Sequence, residues 1–156
     1  MIEIVKATRE HAEFIAANPR PADVAEAWTQ DRTTPLDVML RGIRYSPNAQ
    51  TGMVDGEPIG MFGVSPMSLI RGIGVPWMMA SARADILQAR KALLRESRDV
   101  VGAWREQYKF LANVVDDRNV RAKQWLEWLG FEIGETYHLG PDQMPFRMFT
   151  WSRKNV

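Results

Sequence analysis

A chain of 156 residues with 46% hydrophobic and 25% charged residues is long enough for one domain to bury its own core, which excludes disordered, collagen-like and coiled-coil classes. Twenty Lys and Arg against nineteen Asp and Glu leave a net charge of +1, so no overall field draws the chain to nucleic acid or an anionic membrane, although a local basic face stays open. The absence of cysteine rules out disulfides, zinc ribbons and thiol nucleophiles.

Ile2, Ile4 and Ala7 alternate with polar residues and predict a strand. Thr8 then stands as an N-cap before REHAEFIAAN, whose apolar residues have helical spacing. Pro19 and Pro21 interrupt, Asp23 opens a second helix near VAEAWTQ, and Pro35 precedes a third helical stretch, LDVMLRGIRYS. From Gln50 the period becomes two: QTGMV, the turn Asp55-Gly56 and EPIGMFGVS predict a hairpin, and VPWMMAS a third antiparallel strand. Between them Arg71-Gly72-Ile73-Gly74 resembles a phosphate loop in composition, but it precedes a strand and reads as a hairpin loop.

From Ala82 the pairs Ile86-Leu87, Leu93-Leu94 and Val100-Val101 recur every seven residues and predict one long amphipathic helix. Its polar side carries Arg83, Arg90, Lys91, Arg95 and Arg98, a solvated face or a place for phosphates or an acidic partner. FLANVVD predicts a strand, DRNVRAKQWLEWL a helix stopped by Gly130, and FEIGETY and FRMFTWS two closing strands. No repeat or linker divides residues 1–156, which read as a single domain. The longest apolar runs are far short of a bilayer span, and the N-terminal residues lack the apolar stretch of a signal peptide.

Asn119 at the helix start, Ala122 three residues on and Gly130-Phe131 at the exit resemble the N-x-x-A and G-F signature near the C-terminal end of the GNAT acyltransferases. The element order β-α-α-β-β-β-α-β-α-β-β, with two or three helices after the first strand, is similar to that superfamily too. The resemblance implies an α/β (α+β) fold with a mixed, mainly antiparallel sheet of six to seven strands flanked by helices. Over residues 55–134 the chain is most similar to phage-encoded GNAT-like proteins, among them internal virion proteins of short-tailed phages.

The resemblance implies an N-acyltransferase that moves an acetyl group from acetyl-CoA to an amine acceptor. Met79, Ala80, Ser81 and Arg83 would meet the cofactor, with the backbone around Met79 and Ala80 polarising the thioester carbonyl; Asn119 and Ala122 would hold its pantetheine arm. Two departures accompany it. The segment MMASARADILQARK has no glycine where the family places its diphosphate loop, and Leu126 stands where many members carry a tyrosine that protonates the departing thiolate. Tyr137 is a candidate acid, and Asp116 and Glu57 are candidate bases. The alternative is a catalytically silent protein of the same fold, a phage structural (internal virion) or host-interaction protein, with phage or host proteins as partners. Either reading places it in the host cytoplasm or inside the virion. His11 and His138 are too isolated to suggest a metal site, and the near-zero net charge argues against nucleic acid. Six Trp point to core or interface packing.

Overall fold

In the computed structural model, residues 2–154 are described, with the side chain of Leu87 left aside. Strand β1 (Ile2–Lys6) leads into helix α1 (Arg9–Ala17), whose start is fixed by reciprocal capping. The Thr8 hydroxyl accepts the His11 N–H at 3.2 Å, and His11 Nδ1 accepts the Thr8 N–H at 3.3 Å. Helices α2 (Pro21–Asp31) and α3 (Pro35–Tyr45) both carry proline at their first position, where the missing N–H costs nothing. Three helices therefore lie between β1 and β2, and α2 starts at Pro21 rather than at Asp23.

Strand β2 (Gln50–Val54), β3 (Glu57–Ser68) and β4 (Ile73–Ala80) form an antiparallel meander. Asp55 and Gly56 both take positive φ, 51° and 75°, as a two-residue turn matched to strand twist demands. After β4 the single long helix expected from Ala82 is broken. The Ser81 hydroxyl accepts the Arg83 N–H at 3.0 Å and caps a short 3-10 turn, Ala82–Asp85. Ile86 is extended, and α4 runs from Leu87 to Gln107, so Arg83 does not belong to its basic face. Strand β5 (Phe110–Asp116), helix α5 (Val120–Trp128), β6 (Glu132–Leu139) and β7 (Met144–Ser152) complete the chain.

The sheet has seven strands in the order β1-β2-β3-β4-β5-β7-β6, and only β4 and β5 pair in parallel. On one face Ala12, Ile15, Ala27 and Met39 of α1–α3 bury Met61 and Met79. On the other, Val101, Leu126 and Leu129 of α4 and α5 cover Leu111, Val115 and Phe149, while Ala84, Ala89 and Leu93 cover Ile59 and Ala80. Trp77 is partly buried and donates to the Ser46 hydroxyl at 2.7 Å; Trp128 is exposed beneath the Arg98 guanidinium. His138 is exposed on β6, whereas His11 is the capping residue described above.

Candidate functional site

Strands β4 and β5 are joined only at Ile73–Phe110 and Gly74–Leu111; beyond Gly74 they diverge into a wedge. Ladder parity decides what β4 offers to that wedge. Ser81 donates its N–H to Ile59 of β3 at 2.9 Å, so Ser81, Met79 and Trp77 bond toward β3, and Ala80, Met78 and Pro76 point into the gap. Pro76 has no N–H, and its carbonyl accepts Asn113 Nδ2 across the wedge at 2.7 Å. Ala80 gives its N–H to Asp23 Oδ2 at 2.9 Å and its carbonyl accepts the Arg20 N–H at 3.2 Å. Met78 alone keeps an amide turned into the gap without a partner among the described residues.

The gap opens into a cleft of about 1170 Å³, lined by residues of α2, α3, β4, β5, α4 and α5. Helix α2 crosses its wide end. Asp23 and Glu26, one turn apart and so on one face, reach opposite walls: Asp23 holds Ala80 of β4, and Glu26 Oε1 accepts the Asp116 N–H of β5 at 2.7 Å. Asp23 is buried and neutralised by Arg20, whose Nε and Nη2 lie at 3.2 and 3.0 Å. Glu26 has no such partner. Burial pushes its carboxyl up to about 7, the neighbouring Asp23 and Asp116 carboxylates push the same way, and the Asp116 amide and Arg20 only partly offset them.

The turn after β4 is occupied from within. The Ser81 N–H goes to Ile59, Ala82 to the Asn18 carbonyl at 2.8 Å, Arg83 to the Ser81 hydroxyl, Ala84 to the Ser81 carbonyl and Ile86 to the Arg83 carbonyl. The Asn18–Arg20 connection thus lies along the end of β4, where Pro19 and Ser81 form an isolated bridge. The amides of Ser81–Ala84 and of Ile86 are thus spent, while the first turn of α4 has no side-chain cap. Two guanidinium groups line the cleft nearby, Arg90 and Arg121, the latter 3.5 Å from Asp85.

Met79, Asn119 and Ala122 line this cleft. Asn119 caps α5, its Oδ1 accepting the Ala122 N–H at 3.2 Å, which leaves its Nδ2 without a protein partner among the described residues. Ala80 and Ser81 are fully committed to the strand end, and Arg83 pairs with Glu57 away from the cleft lining. Asp116 is locked to Arg118, with Oδ2–Nη2 at 2.6 Å; although burial opposes it, Arg118 holds the carboxyl below its ordinary range. Tyr137 is exposed on β6, its hydroxyl 3.5 Å from Glu135, and neither it nor Asp116 nor Glu57 lines the cleft. Leu126 does. Met78, Glu26 and Asn113 were missed in the sequence. The single proline of β4 was the one available signal, since Pro76 marks the gap-facing parity that Met78 shares.

No family model matches the sequence, and no curated protein matches it. Solved structures do. Ard1 from Thermoplasma volcanium superposes with a TM-score of 0.71 at 17% identity, covering 97% of each chain. An aminoglycoside acetyltransferase, AAC(6')-Ib in complex with coenzyme A, gives 0.67 at 17% identity over 99% of this chain and 96% of that one. An acetyltransferase of the GNAT family from Streptococcus pneumoniae gives 0.63 at 17% identity over 97% and 99%. The mixed seven-stranded sheet, split between β4 and β5 and flanked by helices on both faces, is the GNAT acetyltransferase fold.

Proposed function

We propose that this chain is an N-acyltransferase of the phage GNAT-like type, transferring an acetyl group from acetyl-CoA to an amine. The observation that carries the reading is the unpartnered Met78 amide, turned into a cleft of about 1170 Å³ between the diverging strands. The residues fit the acyl and pantetheine portion of the cofactor. Met78 offers a strand-edge amide, Asn119 a free Nδ2, and Ala122 the small side chain that permits close approach. The turn Ser81–Ala84 has spent its amides, so a diphosphate would fall to the uncapped first turn of α4 together with Arg90 and Arg121.

Acetyl-CoA, when bound, supplies the acyl group as an activated thioester. The Met78 N–H donates to the carbonyl oxygen, where negative charge grows as the amine attacks. This moves the polarising amide one residue from Met79 and two from Ala80. Glu26, with one carboxylate oxygen fixed by Asp116 and the other free, takes the proton from the amine nitrogen; a carboxyl poised near neutrality suits that task. Leu126, which lines the cleft, has no proton to give a departing thiolate, so a proton for the sulfur would have to be supplied by solvent.

One observation favours the second reading, a catalytically silent phage virion or host-interaction protein: the turn that should cradle a diphosphate has spent its amides on Ile59, Asn18 and its own residues. Isothermal titration with acetyl-CoA and with CoA separates the two. One-to-one binding that weakens at least tenfold in Asn119→Ala supports the transferase and justifies a screen of amine acceptors. No heat at millimolar ligand, with the fold intact by circular dichroism, leaves the silent scaffold.

A further inference from the structure

The β3–β4 hairpin ends in Met67-Ser68-Leu69-Ile70-Arg71-Gly72, and its apolar side chains stand in solvent: Met67 is 69% exposed, Leu69 78% and Ile70 97%. The turn is well made. The Ser68 hydroxyl accepts the Arg71 N–H at 3.1 Å, and Gly72 takes φ +69°, so the exposure is not the product of a loose loop. Burying those side chains would favour a folded chain that tucked them in, yet nothing among the described residues covers them.

Cations lie in the turn and along one side of its base. Arg71 belongs to the turn itself, and Lys109 lies against it, close enough that a Cβ on Gly72 would meet the Lys109 side chain at 3.1 Å. The Lys109 carbonyl accepts the Arg153 N–H at 2.8 Å, the Arg153 guanidinium turns inward onto the Arg105, Glu106 and Tyr108 carbonyls, and Lys154 follows, exposed. Glu106 is the acid at this end, its carbonyl accepting from Arg153. A chain of net charge +1 has thus gathered cations beside its most exposed apolar residues.

We infer that the hairpin tip is a reversible anchor for an anionic lipid bilayer, with Met67, Leu69 and Ile70 entering the acyl boundary and Arg71, Lys109 and Lys154 meeting the headgroups. Shape and charge both favour this partner over another protein. A stable protein interface buries about 800 Å² on each side, more than three side chains on a convex turn supply, whereas a bilayer accepts a narrow apolar finger with basic residues at its base. The tip also lies beyond the Ile73–Phe110 joint, at the closed end of the wedge, so a protein held by it keeps the cleft mouth facing water.

The test is co-sedimentation of the full chain with vesicles of phosphatidylglycerol and phosphatidylcholine, beside vesicles of phosphatidylcholine alone. The expected result is binding to the anionic vesicles that weakens with salt, falls at least tenfold in Leu69→Ser/Ile70→Ser and falls several-fold in Arg71→Glu/Lys109→Glu. These residues are exposed, so both variants keep the fold, checked by circular dichroism. Equal recovery with and without vesicles overturns the inference, as does equal binding by wild type and Leu69→Ser/Ile70→Ser. A concentration-dependent dimer in sedimentation velocity that Ile70→Ser abolishes overturns it too, because the tip is then a protein contact.

Discussion

Asp23 and Glu26 stand one turn apart on α2 and each accept a backbone amide from a different strand, Ala80 of β4 at 2.9 Å and Asp116 of β5 at 2.7 Å. The strands part after Gly74, and the helix spans the gap they leave. Its two carboxylates are not equivalent: Arg20 neutralises the first, and the second is left to the low dielectric around it.

That difference sets a pH dependence. The Glu26 carboxyl titrates at about 7 in the folded chain against 4.5 when free, so ionising it costs folding free energy. The cost is absent below the unfolded value, grows between about 4.5 and 7, and is complete above that. Stability should therefore fall from pH 5 to pH 8 by up to about 3 kcal/mol through this group. Urea unfolding at the two pH values measures the fall, and Glu26→Gln should flatten it and be the more stable protein at pH 8.

Asp23→Ala removes the acceptor of the Ala80 amide and the partner of Arg20 together. A partly buried guanidinium and a buried N–H lose their partners, at a cost of about 3 kcal/mol. Asp23→Asn keeps an oxygen for the amide and should lose less. Denaturant midpoints rank the three proteins, and amide exchange at Ala80 should accelerate in Asp23→Ala before the rest of the sheet.

Met78 and Met79 are neighbours with opposite duties. Met78→Pro deletes the amide that faces the cleft while leaving the β3 ladder whole, as Pro76 already does at the same parity. The fold should survive with a melting temperature within a few degrees, and acetyl-CoA binding should weaken at least tenfold. Met79→Pro deletes a ladder bond to Met61 and should destabilise the sheet. Thermal melts and titration of both variants check the pair.

Gly42 faces the indole of Trp77, and a Cβ there would overlap the ring. Gly42→Ala should cost 1–3 kcal/mol or more by overpacking, although alanine favours the helix itself. A shifted Trp emission with a lowered unfolding midpoint is the expected signature.

Much of the fold was legible because its signals are local. Thr8, Pro35 and Asn119 mark helix starts, Asp55-Gly56 marks a hairpin, and Gly130 at φ +96° marks a helix stop. The break at Ile86 was not legible, since the heptad of apolar pairs runs through it and the Ser81 cap that creates it competes only once β4 has placed it. The site was half legible. Asn119 and Ala122 carry a spacing that survives in sequence, but Glu26 acquires its raised carboxyl from burial against a strand 90 residues away, and no pattern within α2 announces that meeting.

Between β1–β4 and β5–β7 the sheet is continuous across only two residue pairs, so little in its own hydrogen bonding fixes the angle between the two halves. Helix α2 and the Asn113 tie bridge the two halves, beside the core that joins Val64 of β3 to Leu111 and Phe149. Width and chemistry are consequently separable in this chain: shortening or lengthening that helix alters the size of molecule admitted while every residue on the two walls stays the same.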